Sequence, residues 1–104
     1  MEITQNTENP AVSIIIPVFN RAWCLEATLQ SVRDQTFKNF EVIVVDDGST
    51  DGTAEILRGY GSRIHCIRQA NQGVSTARNR AIAASCGELI AFLDADDTWL
   101  PEKL

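Results

Sequence analysis

Hydrophobic residues in this chain gather in short unbroken runs, with amphipathic stretches between them. Val12 to Ile16 is apolar except for Ser13 and closes at Pro17, while Glu41 to Val45 and Glu88 to Leu93 each lead into an aspartate. Runs without polar alternation predict strands buried on both faces of a parallel sheet. Arg63 to Arg68 predicts a weaker strand of the same kind.

The intervening segments carry a helical period. After Asn20, a residue suited to N-capping, Leu25, Leu29 and Val32 recur at i, i+4 and i+7 and predict a first helix. Asp51 or Thr53 is placed to cap a second, which carries Ile56, Leu57 and Tyr60 and is ended by Gly59 and Gly61. Val74, Ala77, Ala81 and Ala84 form a third stripe of small residues, suited to close packing on a sheet and stopped by Gly87. Pro101 suits the first position of a last helix. Strand and helix thus alternate, which predicts a three-layer, Rossmann-like α/β fold with a mostly parallel sheet and right-handed crossovers. In such sheets ligands bind at the carboxyl ends of the strands.

Composition narrows the picture. A chain of 104 residues, 44% hydrophobic and 7% aromatic, holds one domain with a core and is not intrinsically disordered. Its aliphatic runs are too short to span a bilayer. Residues 1–10 are polar and are expected to form a flexible leader, not a secretory signal, leaving 11–104 as the folded part. Cys24, Cys66 and Cys86 are odd in number, far apart and without a C-x-x-C pair, which favours free thiols in a reducing compartment over disulfides or zinc. His65, alone in a strand-like run, is expected to be structural.

A net charge of −5 disfavours nucleic acid and acidic membranes as partners. Its distribution is more informative. Of 14 acidic residues, six fall in two clusters, Asp46, Asp47 and Asp51 and then Asp94, Asp96 and Asp97, and the rest of the chain is close to neutral. Both clusters follow predicted strands, at what are expected to be neighbouring strand ends. Asp94 and Asp96, two positions apart as a strand closes, are expected to share a face. Hard carboxylate oxygens suit Mg²⁺ or Mn²⁺, which commonly take one or two protein carboxylates together with phosphate oxygens. A lone D-x-D is equally a strand end that caps a turn; six acids at two strand ends favour a metal or ligand site.

The turn Asp46-Asp47-Gly48-Ser49-Thr50-Asp51-Gly52-Thr53 offers glycines for positive φ and side chains for local backbone donors. Capping explains Asp51 and Thr53; the doubled Asp46 and Asp47 suggest a carboxylate that accepts N–H bonds from a nucleobase. Gly73, followed by Ser75 and Thr76 at the start of the third helix, allows a phosphate to approach, with Arg78 one turn in. Arg78 and Arg80 are equally well read as solvated helix charges.

Taken in order, these segments resemble glycosyltransferase family 2, with its GT-A fold. The resemblance rests on Val12 to Asn20, on Leu29 to Val32 with Gln35-Thr36-Phe37, on Glu41 to Thr53, on Asn71-Gln72-Gly73 with Ala77-Arg78-Asn79, and on Gly87-Glu88 with Phe92 to Asp97. It is collinear over residues 12–104 and covers the nucleotide-sugar-binding portion, ending soon after the D-x-D strand. The resemblance implies transfer of a sugar, with inversion, from a nucleotide-diphospho-sugar, a UDP-sugar above all, to a hydroxyl of a glycan or lipid-linked acceptor, aided by Mg²⁺ or Mn²⁺. It implies that Pro17, Phe19 and Asn20 line the base pocket and that Asp47, beside Asp46, accepts the base imino N–H. Gly73 and Arg78 would lie at the nucleotide and its phosphates, Asp94 and Ala95 at the ribose or sugar, and Asp96 on the metal with Asp94. It also implies surface or secreted polysaccharide biosynthesis in the cytoplasm, with the inner membrane face an open alternative.

No residue of this chain matches the family's general base, a carboxylate of the later acceptor-binding region. A non-catalytic nucleotide- or metal-binding remnant therefore stays open beside the transferase. The unpaired edge of a short parallel sheet is open to self-association. A haloacid-dehalogenase-like phosphatase is excluded because Asp97 stands where its D-x-D-G-T pattern has glycine, on the last strand instead of the first. A receiver domain is excluded because its acid pair should follow the first strand.

Overall fold

The computed structural model describes residues 10–104. Its elements are β1 (Val12–Val18), α1 (Leu25–Arg33), β2 (Phe40–Asp46), α2 (Thr53–Tyr60), β3 (His65–Arg68), α3 (Val74–Ala84) and β4 (Leu89–Phe92), with a 3₁₀ turn at Gly61–Arg63 before β3. All strand pairs are parallel and the sheet order is β3-β2-β1-β4.

Alternation of side chains along a strand sorts the core into two layers. Val12, Ile14, Ile16 and Val18 of β1 join Val42 and Val44 of β2 on the face covered by Leu25, Leu29 and Val32 of α1 and Leu57 of α2. Ile15, Ile43 and Val45 face the other way, onto Ala77 and Ala81 of α3, where small side chains permit close packing. The three-layer α/β arrangement is therefore as expected, and every position of β1 and β2 is buried.

The edge strands are not buried on both faces. In β4, Leu89 is 66% and Phe92 48% exposed, and β3 is also largely exposed. An apolar run predicts burial only where other elements cover both faces, and among the described residues nothing covers β4 fully.

Helix ends also differ from expectation. Asn20 does not cap α1, which begins five residues later behind Cys24 with no side-chain cap. Asn20 instead adopts φ +52°, a left-handed conformation that asparagine tolerates, and its Oδ1 accepts from the N–H groups of Thr50 (2.7 Å) and Asp51 (3.3 Å). At α2 the N-cap is Gly52, with no side-chain cap, so neither Asp51 nor Thr53 holds that position; Asp51 Oδ1 instead accepts from Thr53 N–H, the first helical residue, at 3.0 Å. Gly59 lies inside that helix, which Gly61 ends. Pro101 opens only a turn, with Lys103 N–H bonded to the Leu100 carbonyl, so no last helix forms among the described residues. The expected leader lies outside the described residues except for Pro10, which is buried.

Gly87 does not stop α3, which ends at Ala84; it permits a close approach instead. A Cβ there would lie 2.6 Å from Ser13 N, and its own N–H donates to Ser13 Oγ at 2.8 Å. Ser13 in turn donates to the buried Glu41 at 2.5 Å, and Glu41 also accepts from Cys86 N–H at 2.6 Å. A buried carboxylate thus ties β1, β2 and the entry to β4 together at the amino ends of the strands.

Candidate functional site

The chain runs outward from β1 to β2 and β3, then returns to place β4 on the other side of β1. The reversal makes a switch point between β1 and β4, where α/β sheets open a crevice at their carboxyl ends. Pro17 helps to open it. In a parallel strand alternate residues face the same neighbour, and Ile15 accepts from Leu93 N–H on the β4 side. Pro17 faces that side too, but has no N–H, and β4 pairs no further than Ile15 with Phe92.

A cavity of about 530 Å³ occupies this position, within the range of small-molecule sites. Pro17, Phe19, Asp47, Gly73, Asp94, Ala95 and Asp96 all line it. These sequence-predicted residues come from four separate segments. The acidic clusters are not at neighbouring strand ends, however: β1 lies between β2 and β4, and its carboxyl end lines the cavity between them.

Asn20, Asp46 and Arg78 do not line the cavity. Asn20 ties its loop to the Ser49–Asp51 turn, also donating its N–H to Ser49 Oγ at 2.9 Å. Asp46 is buried and committed: Oδ1 accepts from Ser49 N–H (2.9 Å) and Oδ2 from Arg68 (2.7 Å). Arg78 reaches Asp94 at 3.4 Å and lies 5.6 Å from the centre of the Phe92 ring. Arg80 is exposed, as a solvated helix charge would be.

Asp47 has a double engagement. Its Oδ1 accepts from Gln69 Nε2 and Gln72 N–H, both at 2.8 Å, and its Oδ2 from Gly73 N–H at 3.0 Å. Burial by itself would raise its pKa, but the bonds from Gln69, Gln72 and Gly73 outweigh it and hold the carboxyl below its ordinary value. The same residue that faces the cavity therefore shapes the Asn71–Gly73 turn lining it. Gly48 makes this approach feasible, with φ +78° and only 2.8 Å from an added Cβ to Asn71 N.

Asp94 and Asp96 are not on a strand face, because β4 ends at Phe92 and they stand in a turn closed by Asp97 N–H to the Asp94 carbonyl at 3.0 Å. Both are exposed. Asp94 has only the long contact to Arg78, and the Asp96 carboxylate accepts no hydrogen bond among the described residues. No group of three or more His, Cys, Asp or Glu able to hold a metal occurs among the described residues. Two accessible carboxylates fit a hard cation that completes its shell with phosphate oxygens and water, not a fully protein-caged ion.

Sequence reasoning missed Val18, Arg21, Asn71, Val74 and Ala77 in the lining. Arg21 follows the β1 end directly, and its guanidinium donates to the carbonyls of Phe19 (3.1 Å) and Asn20 (3.2 Å). Nothing in its spacing marks it as a cavity residue. The helical period marks Val74 and Ala77 only as packing positions of α3.

The family model described as "Glycosyl transferase family 2" matches residues 13–104, and the chain belongs to that family. The Bacillus subtilis glycosyltransferase named for teichuronic acid biosynthesis, TuaG, is 44% identical over 99 residues, 91% of this chain and 39% of its own length. EpsH of the same organism, also named as a glycosyltransferase, is 43% identical over 96 residues, 89% of this chain and 28% of its own length. The crystal structure of S. aureus TarS 1–349 with UDP-GlcNAc superposes with a TM-score of 0.78 at 33% identity, covering 86% of this chain and 28% of that one. The mannosyltransferase PcManGT from Pyrobaculum calidifontis, in complex with GDP-Man and Mn²⁺, gives 0.76 at 29% identity, covering 94% and 31%. The fold is thus the GT-A fold of these enzymes, and the chain spans well under half the length of each. No helix among the described residues is long and apolar enough to cross a membrane.

Proposed function

We propose that this chain forms the donor side of an inverting glycosyltransferase that uses a nucleotide-diphospho-sugar, with a uridine nucleotide as the preferred carrier, in polysaccharide synthesis. The observation that carries the proposal is the convergence of Pro17, Phe19, Asp47, Gly73, Asp94 and Asp96 on one cavity at the switch point of the sheet. Complexes of the related TarS with UDP-GlcNAc and of PcManGT with GDP-Man support a nucleotide-sugar in that position.

In this reading the base lies against Pro17 and Phe19, where an apolar ring face and a proline suit stacking. Asp47 presents its carboxylate to the base imino N–H while keeping its bonds to the 69–73 segment. Asp96, with Asp94, holds Mg²⁺ or Mn²⁺, which when bound offsets the charge of the diphosphate leaving group. Arg78 stands one turn into α3 and leaves Asp94 to meet the phosphates. The acceptor hydroxyl attacks the anomeric carbon as the nucleoside diphosphate departs; the base that takes its proton corresponds to no residue of this chain.

Calorimetric titration with UDP and other nucleoside diphosphates, with and without Mn²⁺, tests the proposal. Uridine-selective binding strengthened by Mn²⁺ is expected. A folded chain that binds no nucleotide under either condition would refute it.

A further inference from the structure

Thr28, on the side of α1 that faces the core, and Gln35, just past the C-terminal end of that helix, are polar and fully buried. Neither lines the cavity. Polar groups are buried at a cost unless hydrogen-bonded, so their partners identify their purpose. Thr28 Oγ1 lies 2.8 Å from the Ala95 carbonyl and 2.7 Å from that of Asp97, and its single proton serves both. Cys24 Sγ adds a contact to the same Ala95 carbonyl at 3.4 Å.

Two residues past the end of the helix, Gln35 uses both ends of its amide. Its Nε2 donates to the Leu100 carbonyl at 2.7 Å and to Ser31 at 3.2 Å, while Oε1 accepts from Leu104 N–H at 3.0 Å. Thr36 N–H donates to the Pro101 carbonyl at 2.9 Å. Leu93 and Ala95 are buried with Leu25, Leu29 and Val32, and Trp99 and Leu104 pack on that cluster. Residues 93–104 contain no helix or strand; their backbone is bonded to Thr28 of α1 and to Gln35 and Thr36 beyond its end.

We propose that Thr28 is a positioning residue for the Asp94–Asp96 turn, with Gln35 anchoring the downstream end, so that a two-point clamp, one point on α1 and one just past its end, fixes where the two carboxylates stand. The proposal rests on the donor-site reading above. Hydrogen bonds that orient metal ligands directly affect metal affinity by about 10- to 100-fold; Thr28 holds the backbone of the turn and not the carboxylates, so the lower end of that range is expected. The clamp holds backbone carbonyls from the buried side and leaves the carboxylates exposed to the cavity, which is what an indirect role requires.

The test compares the full chain with Thr28→Val and Thr28→Ser. Titrating Mn²⁺ in the presence of UDP, followed by the free-ion paramagnetic resonance signal, should show affinity about tenfold weaker in Thr28→Val. Uridine-nucleotide affinity without metal should be unchanged, and Thr28→Ser should restore the metal dependence. Unchanged Mn²⁺ affinity in Thr28→Val, equal loss with and without metal, or failure of Thr28→Ser to restore it would overturn the clamp. Should Thr28→Val not fold, Thr28→Ala carries the same expectation in a better helix former. If the unaltered chain binds no UDP with Mn²⁺, the donor-site reading fails, and amide exchange decides the clamp. Faster exchange at Asp97 N–H, with the β1 and β2 amides unchanged, supports it, and unchanged exchange at Asp97 overturns it.

Discussion

The two acidic clusters each hold three aspartates and each follow a strand, but their carboxylates face opposite kinds of surroundings. Asp46, Asp47 and Asp51 accept bonds from Ser49, Arg68, Gln69, Gln72, Gly73, Thr53 and Ala22, so their charge is met by donors that the fold fixes in place. At Asp94, Asp96 and Asp97 the backbone is held and the carboxylates are exposed, with only the long Arg78 contact to Asp94. In the first cluster the loop is built around the side chains; in the second it is built so that the side chains stay available. Local charge density does not tell a structural carboxylate from a ligand. The count of fixed donors shows how far each charge is already met, and Asp47, with three donors and a place in the cavity lining, combines both behaviours.

Substitutions that exchange these behaviours give the sharpest test. The largest effect is expected at Asp96→Ala, which should remove the Mn²⁺-dependent part of UDP binding in calorimetry. Its unfolding free energy should stay within about 0.5 kcal/mol of the unaltered chain, as for an exposed residue without partners. Unchanged nucleotide affinity with Mn²⁺ would remove Asp96 from the metal site. Asp47→Asn places an amide donor against fixed N–H groups and should cost about 1–3 kcal/mol in urea denaturation. A neutral result there would mean that the Asn71–Gly73 turn holds itself.

The pH dependence separates the clusters further. Asp47, raised by burial but lowered more by its three donors, has a folded pKa below its unfolded value. Its stabilising contribution is therefore complete above the ordinary carboxylate pKa of about 4 and is lost as pH falls through the lower folded value. Urea midpoints taken stepwise through that acid range should fall less steeply in Asp47→Asn than in the unaltered chain, and equal slopes would contradict the assignment. The smallest effect is expected at Asp97→Ala, within about 0.5 kcal/mol in the same denaturation.

Much of this fold was legible because β1, β2 and α3 obey simple rules. Val42 to Val45 forms a strand covered on both faces, and Ala77 and Ala81 mark the helix that packs closest. The rules failed where an outcome depended on partners distant in sequence. Asn20 has the chemistry of a helix cap but spans to residues 50 and 51 instead. Leu89 and Phe92 have the pattern of a buried strand without neighbours to cover them. Of the site, the lining aspartates and Gly73 could be read from turn chemistry, whereas Arg21 enters only through three-dimensional proximity. Thr28 breaks the apolar face of α1, a signal visible in sequence whose meaning needed the carbonyls it meets.

The Ser13–Glu41 pair has a consequence for assembly order. Gly87 and Cys86 bind to a receptor made jointly by β1 and β2, so the docking point for β4 does not exist until those two strands have paired. Once seated, the glycine fixes the alignment of Leu89 with Val12 and thereby how far along β1 the chain leaves the sheet. A slip of one residue would reverse the facing of every side chain from Leu89 to Phe92 and move the following aspartates along the sheet edge. Gly87 therefore acts as an index mark at one end of the sheet for the aspartate-lined cavity at the other.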